Sequence, residues 1–383
     1  MDRRRTGLIS LRAAALVTAL AVALAACSSA VGSNGPGHGA GSSASPLVDP
    51  ADIIPGGPPP DGIPPIDHPR FQPASSVNWL APREPVVAIE LSGDARAYPV
   101  QIFIWHEIVN DTVGGVPVTV TYCPLCNTGI AFKRPTIDGK LLDFGTSGKL
   151  YNSNLVMYDR QTNSYWPQAL GEAVTGPLTG TKLQLVPVQL VAWRDWRAAH
   201  PGGKVLSRDT GASRDYGTNP YVSYDQPNSH PFLFAGRLDP RLPPKARVVG
   251  VQVGADVVAF PYAALTAHRS GPWSVVRSTV GNRPVVVFWE DGAVSALDAP
   301  TIADSKDVGA TGVFDPRLDG RTLTFRATSS GIVDDPTESR WDIFGRAVAG
   351  PLAGKQLDRV VSTESFWFDW AAFHPDTSIF GRG

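Results

Sequence analysis

Two of the chain's three cysteines stand three positions apart, Cys123 and Cys126 in "VTVTYCPLCNTGIAF" (118–132). In a chain so sparing of cysteine, that spacing can carry three chemistries. A disulfide here closes a loop of only four residues, for which chain entropy gives about 1.9 kcal/mol, against roughly 3 for fifteen residues. Cysteines placed for stability alone would stand farther apart. A thiol–disulfide couple instead exploits the short ring, which is easily reduced and lets one thiol resolve an intermediate on the other. A soft-metal centre needs further ligands. Met157 and His106 would complete a set of two thiolates, one thioether and one imidazole, which suits copper by softness. Zinc accepts a thioether poorly, and no second Cys-x-x-Cys supplies it.

The redox reading takes Cys123 and Cys126 as the reacting pair, with His106 as base or as the group that tunes a thiol. A strand rather than a helix leads into Cys123, so no helix N-terminus lowers its pKa. On this reading the chain is a thiol-dependent oxidoreductase. The competing account is a structural disulfide in an interaction module. In "YNSNLVMYDRQTNSYWPQ" (151–168), Tyr158 and Arg160 are weaker pocket candidates. Other catalytic signatures are missing: there is no Gly-rich phosphate loop, Gly-x-Ser-x-Gly elbow or His-Glu-x-x-His in the sequence.

The elements that must hold these residues are mostly strands. "VPVTVTYC" and "RPVVVFWE" are β-branched and aromatic runs behind Gly or Asn turn signals. The chain also compares with itself. "YWPQALGEAVTGPLTGTKLQLVPVQLVAWRDWRAAHPG" (165–202) is matched by "RWDIFGRAVAGPLAGKQLDRVVSTESFWFDWAAFHPD" (340–376), and shorter upstream pairs keep the same order. The expected fold class is therefore α+β, β-dominated, in two tandem related modules. The expected boundaries are 85–207 for the first, 208–246 for a connecting segment and 247–383 for the second. Alignment sets Cys123 against Glu290, Cys126 against Ala293 and Met157 against Ile332, so the sulfur residues belong to the first module alone. Asp159 and Trp166 have counterparts in Asp334 and Trp341, which marks them as architectural, as do the closing helices with their repeated Trp-x-x-Trp and His.

The third cysteine speaks to location. "MDRRRTGLISLRAAALVTALAVALAACSSA" has a basic start, an apolar run and small residues before Cys27, the layout of an export signal. "LAAC" resembles a lipobox, which implies cleavage after residue 26 and a lipid on Cys27. The expected location is the outer face of the cell membrane, lipid-anchored, with an envelope redox partner or metal donor as possible company. Residues 27–84, rich first in Gly and Ser and then in Pro, read as a tether whose proline-rich part stiffens and lies along the domain surface. With 34 Lys and Arg against 35 Asp and Glu, and no basic run, nucleic acid is not an expected partner.

"HEIVNDTVGGVPVTVTYCPLCNTGIAF" and, farther on, "FGTSGKLYNSNLVMYDRQTNSYWPQALGEAVTGPLTG" resemble the DUF3179 family, over about 85–207. The resemblance implies no established activity.

Overall fold

The computed structural model describes residues 45–382, so the leader and Cys27 lie outside the described residues. Strands dominate, as expected. Among the described residues the helices are short: α1 (Val100–His106), α2 (Trp193–Ala199), α3 (Tyr262–Thr266) and α4 (Trp367–Phe373). None is long and apolar enough to cross a membrane.

The strand that ends in Cys123, Val116–Cys123, lies inside a four-stranded sheet between Ile108–Val113 and Thr128–Lys133. Its alternating Val, Thr and Tyr side chains bury both faces, which is why the run reads as nearly continuous β-branched and aromatic sequence. The turn before it needs glycine: Gly114 has φ +54°, and a Cβ there would meet the Leu91 carbonyl oxygen. A second sheet pairs Phe144–Tyr151 with Asn154–Asp159 and that strand with Tyr165–Pro167. In a third, Pro85–Leu91 and Asp94–Pro99 run antiparallel beside Gln189–Ala192.

Beyond residue 246 a similar set of sheets appears. Arg247–Val253 pairs with Asp256–Pro261 and with Ser362–Phe366. Arg283–Glu290 lies between Trp273–Val280 and Ala310–Phe314. Helices α2 and α4 end where Pro201 and Pro375 cannot continue them. His200 and His374 cap them through their backbone N–H, and their rings pack on Trp196 and Trp370.

The core does not divide at residue 246. Cys123, Cys126 and Tyr122 share one apolar cluster with Val294, Leu297, Phe366 and Phe368, while Trp193 and Trp196 share another with Phe288 and Trp341. Part of the presumed tether is also built into the sheets. Ile53–Pro55 pairs with the Phe144–Tyr151 strand, and Phe71–Pro73 pairs with Lys204–Leu206. Composition put this proline-rich segment along the domain surface as a stiff, polyproline-like run. An edge strand, however, is held by backbone hydrogen bonds that proline partly spares.

Candidate functional site

Cys123 is the last residue of its strand and stands opposite Thr128 in the ladder, so Pro124–Asn127 forms the connecting hairpin turn. Asn127 takes the left-handed conformation (φ +53°), its amide donates to the Pro124 carbonyl, and the Tyr122 hydroxyl donates to its side-chain oxygen. This tight turn folds Cys126 back on Cys123. The two thiols are free, both buried, with sulfurs 3.0 Å apart.

The surroundings of Cys126 come from two distant parts of the chain. Tyr151 is followed by Asn152 and Ser153, both with positive φ, which turn the chain sharply into the Asn154–Asp159 strand. The Ser153 carbonyl therefore lies 3.6 Å from the Cys126 sulfur, and the Asn154 side-chain amide lies 3.4 Å from it. From the other side, the Phe366 amide donates to the Cys126 carbonyl at 2.9 Å, which docks the Ser362–Phe366 strand on the cysteine turn. Helix α4 follows and brings Asp369. Its carboxyl accepts from the Ser365 hydroxyl at 2.7 Å and from the Asn154 amide at 3.0 Å.

Burial pushes the Asp369 carboxyl up to about 6, and its hydrogen bonds to Ser365, Cys126, Asn154 and Thr128 hold it from rising further. Burial also drives the Cys126 thiol well above its usual value, helped by Cys123 and by the Asp369 charge. A thiol reluctant to ionise thus sits beside a carboxyl that titrates near neutrality.

The structure keeps His106 elsewhere. Its Nδ1 is 2.6 Å from the Pro64 carbonyl and its Nε2 is 2.6 Å from the Tyr216 hydroxyl. The carbonyl can only accept, so Nδ1 carries the proton and Nε2 accepts from the phenol. Both nitrogens are engaged, neither with sulfur, and burial lowers the ring's pKa. His106 fastens the connecting segment to α1; Asp369, not His106, stands beside the thiols. Met157 is fully buried in register with Thr146 and Trp166. Besides Asp369, the groups within hydrogen-bonding reach of the Cys126 sulfur are Cys123, Ser153 and Asn154. Among the described residues no three His, Cys, Asp or Glu side chains cluster as a metal site would require. Of the four ligands envisaged for copper, Met157 shares the apolar cluster of the two cysteines, while both ring nitrogens of His106 are engaged by other groups.

Tyr158 and Arg160 face the presumed tether. The Tyr158 hydroxyl donates to Asp61 at 2.7 Å, and Arg160 pairs with Asp61 and Asp67. Sequence reasoning passed over Asp369 because its counterpart in α2 is Asp195, and repetition marked the closing helices as architecture. The helix serves both purposes.

The sequence matches the model of the DUF3179 family, described as proteins of unknown function, over residues 60–377. The match runs well beyond 85–207, through the connecting segment and nearly to the end of the chain. No curated protein and no solved structure matches it.

Proposed function

Since this chain belongs to the DUF3179 family, whose description names no activity, we propose from the site itself that Cys123 and Cys126 form a redox-active dithiol served by Asp369. The observation that carries this reading is the 3.0 Å approach of the sulfurs beside a buried carboxyl. A bonded pair needs about 2.05 Å, a closure of roughly 1 Å that rotation in the hairpin turn can supply. In the proposed exchange, the Cys123 sulfur attacks one sulfur of a disulfide substrate and breaks its S–S bond, and the Cys123 proton passes to the first departing substrate thiolate. Cys126 gives its proton to Asp369 and attacks the Cys123 sulfur of the mixed disulfide; the second substrate thiolate departs and takes that proton from Asp369. The protein disulfide forms, and two electrons and two protons leave with the substrate. Because both thiols are buried, exchange awaits opening of the Pro124–Asn127 turn.

The remaining readings accompany this one. The basic, apolar and small-residue pattern before Cys27 supports export and lipid anchoring at the outer face of the cell membrane, where a redox partner would be met. The paired strand orders support descent from a duplicated module. So does the repeated bonding of Asp159 to Thr162 and Trp166 and of Asp334 to Thr337 and Trp341.

The test is equilibration of purified protein in glutathione buffers of graded potential, with alkylation and mass analysis of the thiols. Wild type should titrate as a single two-electron couple, and Cys126→Ser should leave one thiol that forms no internal bond. Asp369→Asn should slow oxidation and remove an inflection near pH 6 from its rate. Thiols that stay unmodified in the folded protein at every potential would overturn the proposal. Stoichiometric copper lost on Cys126→Ser would replace it with the soft-metal reading.

A further inference from the structure

The cysteine turn has a second face. Leu125, between the two cysteines, lines a cavity of about 400 Å³ whose other walls come from separate parts of the chain. Leu150 and Leu155 contribute from one sheet, Pro58 from the segment ahead of the first half, and Tyr221 and Tyr224 from the connecting segment. The two tyrosine rings meet edge to face, with centroids 6.3 Å apart. A mostly apolar cavity of this size with few polar groups has the build of a small-molecule site.

One of those polar groups is Glu107. It caps α1 with φ +58° and ψ −33°, a conformation that side-chain-bearing residues seldom adopt. Its backbone is fixed at both ends: its N–H donates to the Phe103 carbonyl and its own carbonyl accepts from the Tyr122 amide. Its carboxyl has no hydrogen-bond partner among the described residues, although the residue is only 8% exposed. It is the one acid in the lining of a mostly apolar cavity, the kind of sparse polar group that orients a bound small molecule. Strain of this kind also gathers at ligand sites.

We infer that this cavity binds a small aromatic carbonyl compound, its rings against Tyr221 and Tyr224 and its carbonyl oxygen accepting a hydrogen bond from Glu107. Burial pushes the Glu107 carboxyl up to about 8, so near neutral pH it carries a proton to donate. The Lys149 ammonium lies over the Tyr165 ring, which is not part of this lining, so the acid donor a ligand meets in the cavity is the Glu107 hydroxyl. An acceptor oxygen is therefore preferred to an amine.

The inference stands on the cavity and does not require the thiols to cycle, so it can fail or survive independently of the redox proposal. Benzophenone, an aromatic ketone that crosslinks on irradiation, is the probe. With the full chain, crosslinking should saturate and map to Leu125, Leu155 and Tyr224, equally in wild type and in Cys123→Ser/Cys126→Ser. Glu107→Gln keeps a donor and should retain binding within about threefold, whereas Glu107→Leu should lose about tenfold, the worth of one such hydrogen bond. Binding should also weaken as pH rises through about 8, where the carboxyl loses its proton. Leu125→Trp, at a partly buried turn position that packs on the core, should block the cavity, with an unchanged near-ultraviolet circular dichroism spectrum showing that the core is kept. Labelling that never saturates, or that spreads over the surface, would overturn the inference. So would tighter binding of 4-phenylbenzylamine than of the ketone.

Discussion

A buried carboxylate is tolerable only where its oxygens are occupied, and Asp159 illustrates the rule. Fully buried, it accepts from the Thr162 amide at 2.6 Å, the Thr162 hydroxyl at 2.8 Å and the Trp166 indole at 3.0 Å. The carboxylate closes the turn that leads into the Tyr165–Pro167 strand and anchors a core tryptophan. Asp159→Asn keeps the shape but replaces an acceptor oxygen with an N–H₂ group, which cannot receive those donors. Chemical denaturation should show a loss of about 1–3 kcal/mol, with the thiol couple's potential unmoved. A variant as stable as wild type would mean the carboxylate is replaceable. Asp334, with the same partners in Thr337 and Trp341, should respond in the same way. This role was readable in the sequence, because the motif occurs twice and the spacing of Asp, Thr and Trp is preserved. Glu107 was not readable. It follows His106 directly, and nothing in its local sequence says that its side chain enters a cavity assembled from residues far away in the chain.

Among the elements, strands were legible and their partners were not. β-branched runs and Gly turns announce "VPVTVTYC" as a strand, since they reflect local preference and burial on both faces. Which element docks on the cysteine turn depends on contacts between residues some 240 positions apart, such as Thr128 and Asp369, and no local pattern encodes that. The same limit hid the fate of residues 53–73, polar and proline-rich yet paired at two sheet edges. Tyr158 and Arg160 pin this segment through Asp61 and Asp67, all partly exposed. Ion pairs of that exposure add about 0–1 kcal/mol to global stability. They should nevertheless decide whether the strap stays down, because its own buried contacts are few. Arg160→Ala is expected to leave the melting temperature nearly unchanged while cleavage between residues 56 and 67 by a nonspecific protease accelerates severalfold. An unchanged cleavage rate would show that backbone pairing alone holds the strap.

At the scale of the molecule, helices α2 and α4 each bring an acidic side chain from one half of the chain toward the other. Asp369 stands beside Cys126, and Asp195 bears electrostatically on Glu290, the residue aligned with Cys123. The result is a set of buried acids whose titration reports on the whole fold. Burial raises Glu290 strongly, with the Asp195 charge adding to it; burial alone takes Glu107 to about 8; and burial, opposed by hydrogen bonds, takes Glu364 to about 7. Each of these folded-state values lies above the unfolded one. Between the two the native state holds more protons than the unfolded chain, so the stability each contributes is complete below pH 4.5 and is lost as pH rises through the folded value. Asp94 and Asp315, held near 2 against burial chiefly by Arg96 and Arg317 respectively, act in the opposite sense and lose their contribution only in strong acid. Lys245, lowered to about 8 by burial, adds stability as pH climbs from there toward 10.5. His106, His200 and His374, lowered by burial, also add stability as pH rises toward 6.5; above that the acids prevail until pH 8, so unfolding free energy should fall from pH 6.5 to pH 8, by up to about 1.4 kcal/mol per pH unit for each acid still protonated only in the native state. Glu290→Gln removes one of these groups while keeping its volume, and should make the decline shallower by about that amount per unit. Urea denaturation of both proteins at pH 6.5 and pH 8 measures the two slopes. Identical slopes would mean that Glu290 is ionised in the folded protein, with Arg194 and solvent compensating its charge. A wild type that gains stability over this range would place the buried acids on the opposite side of the balance.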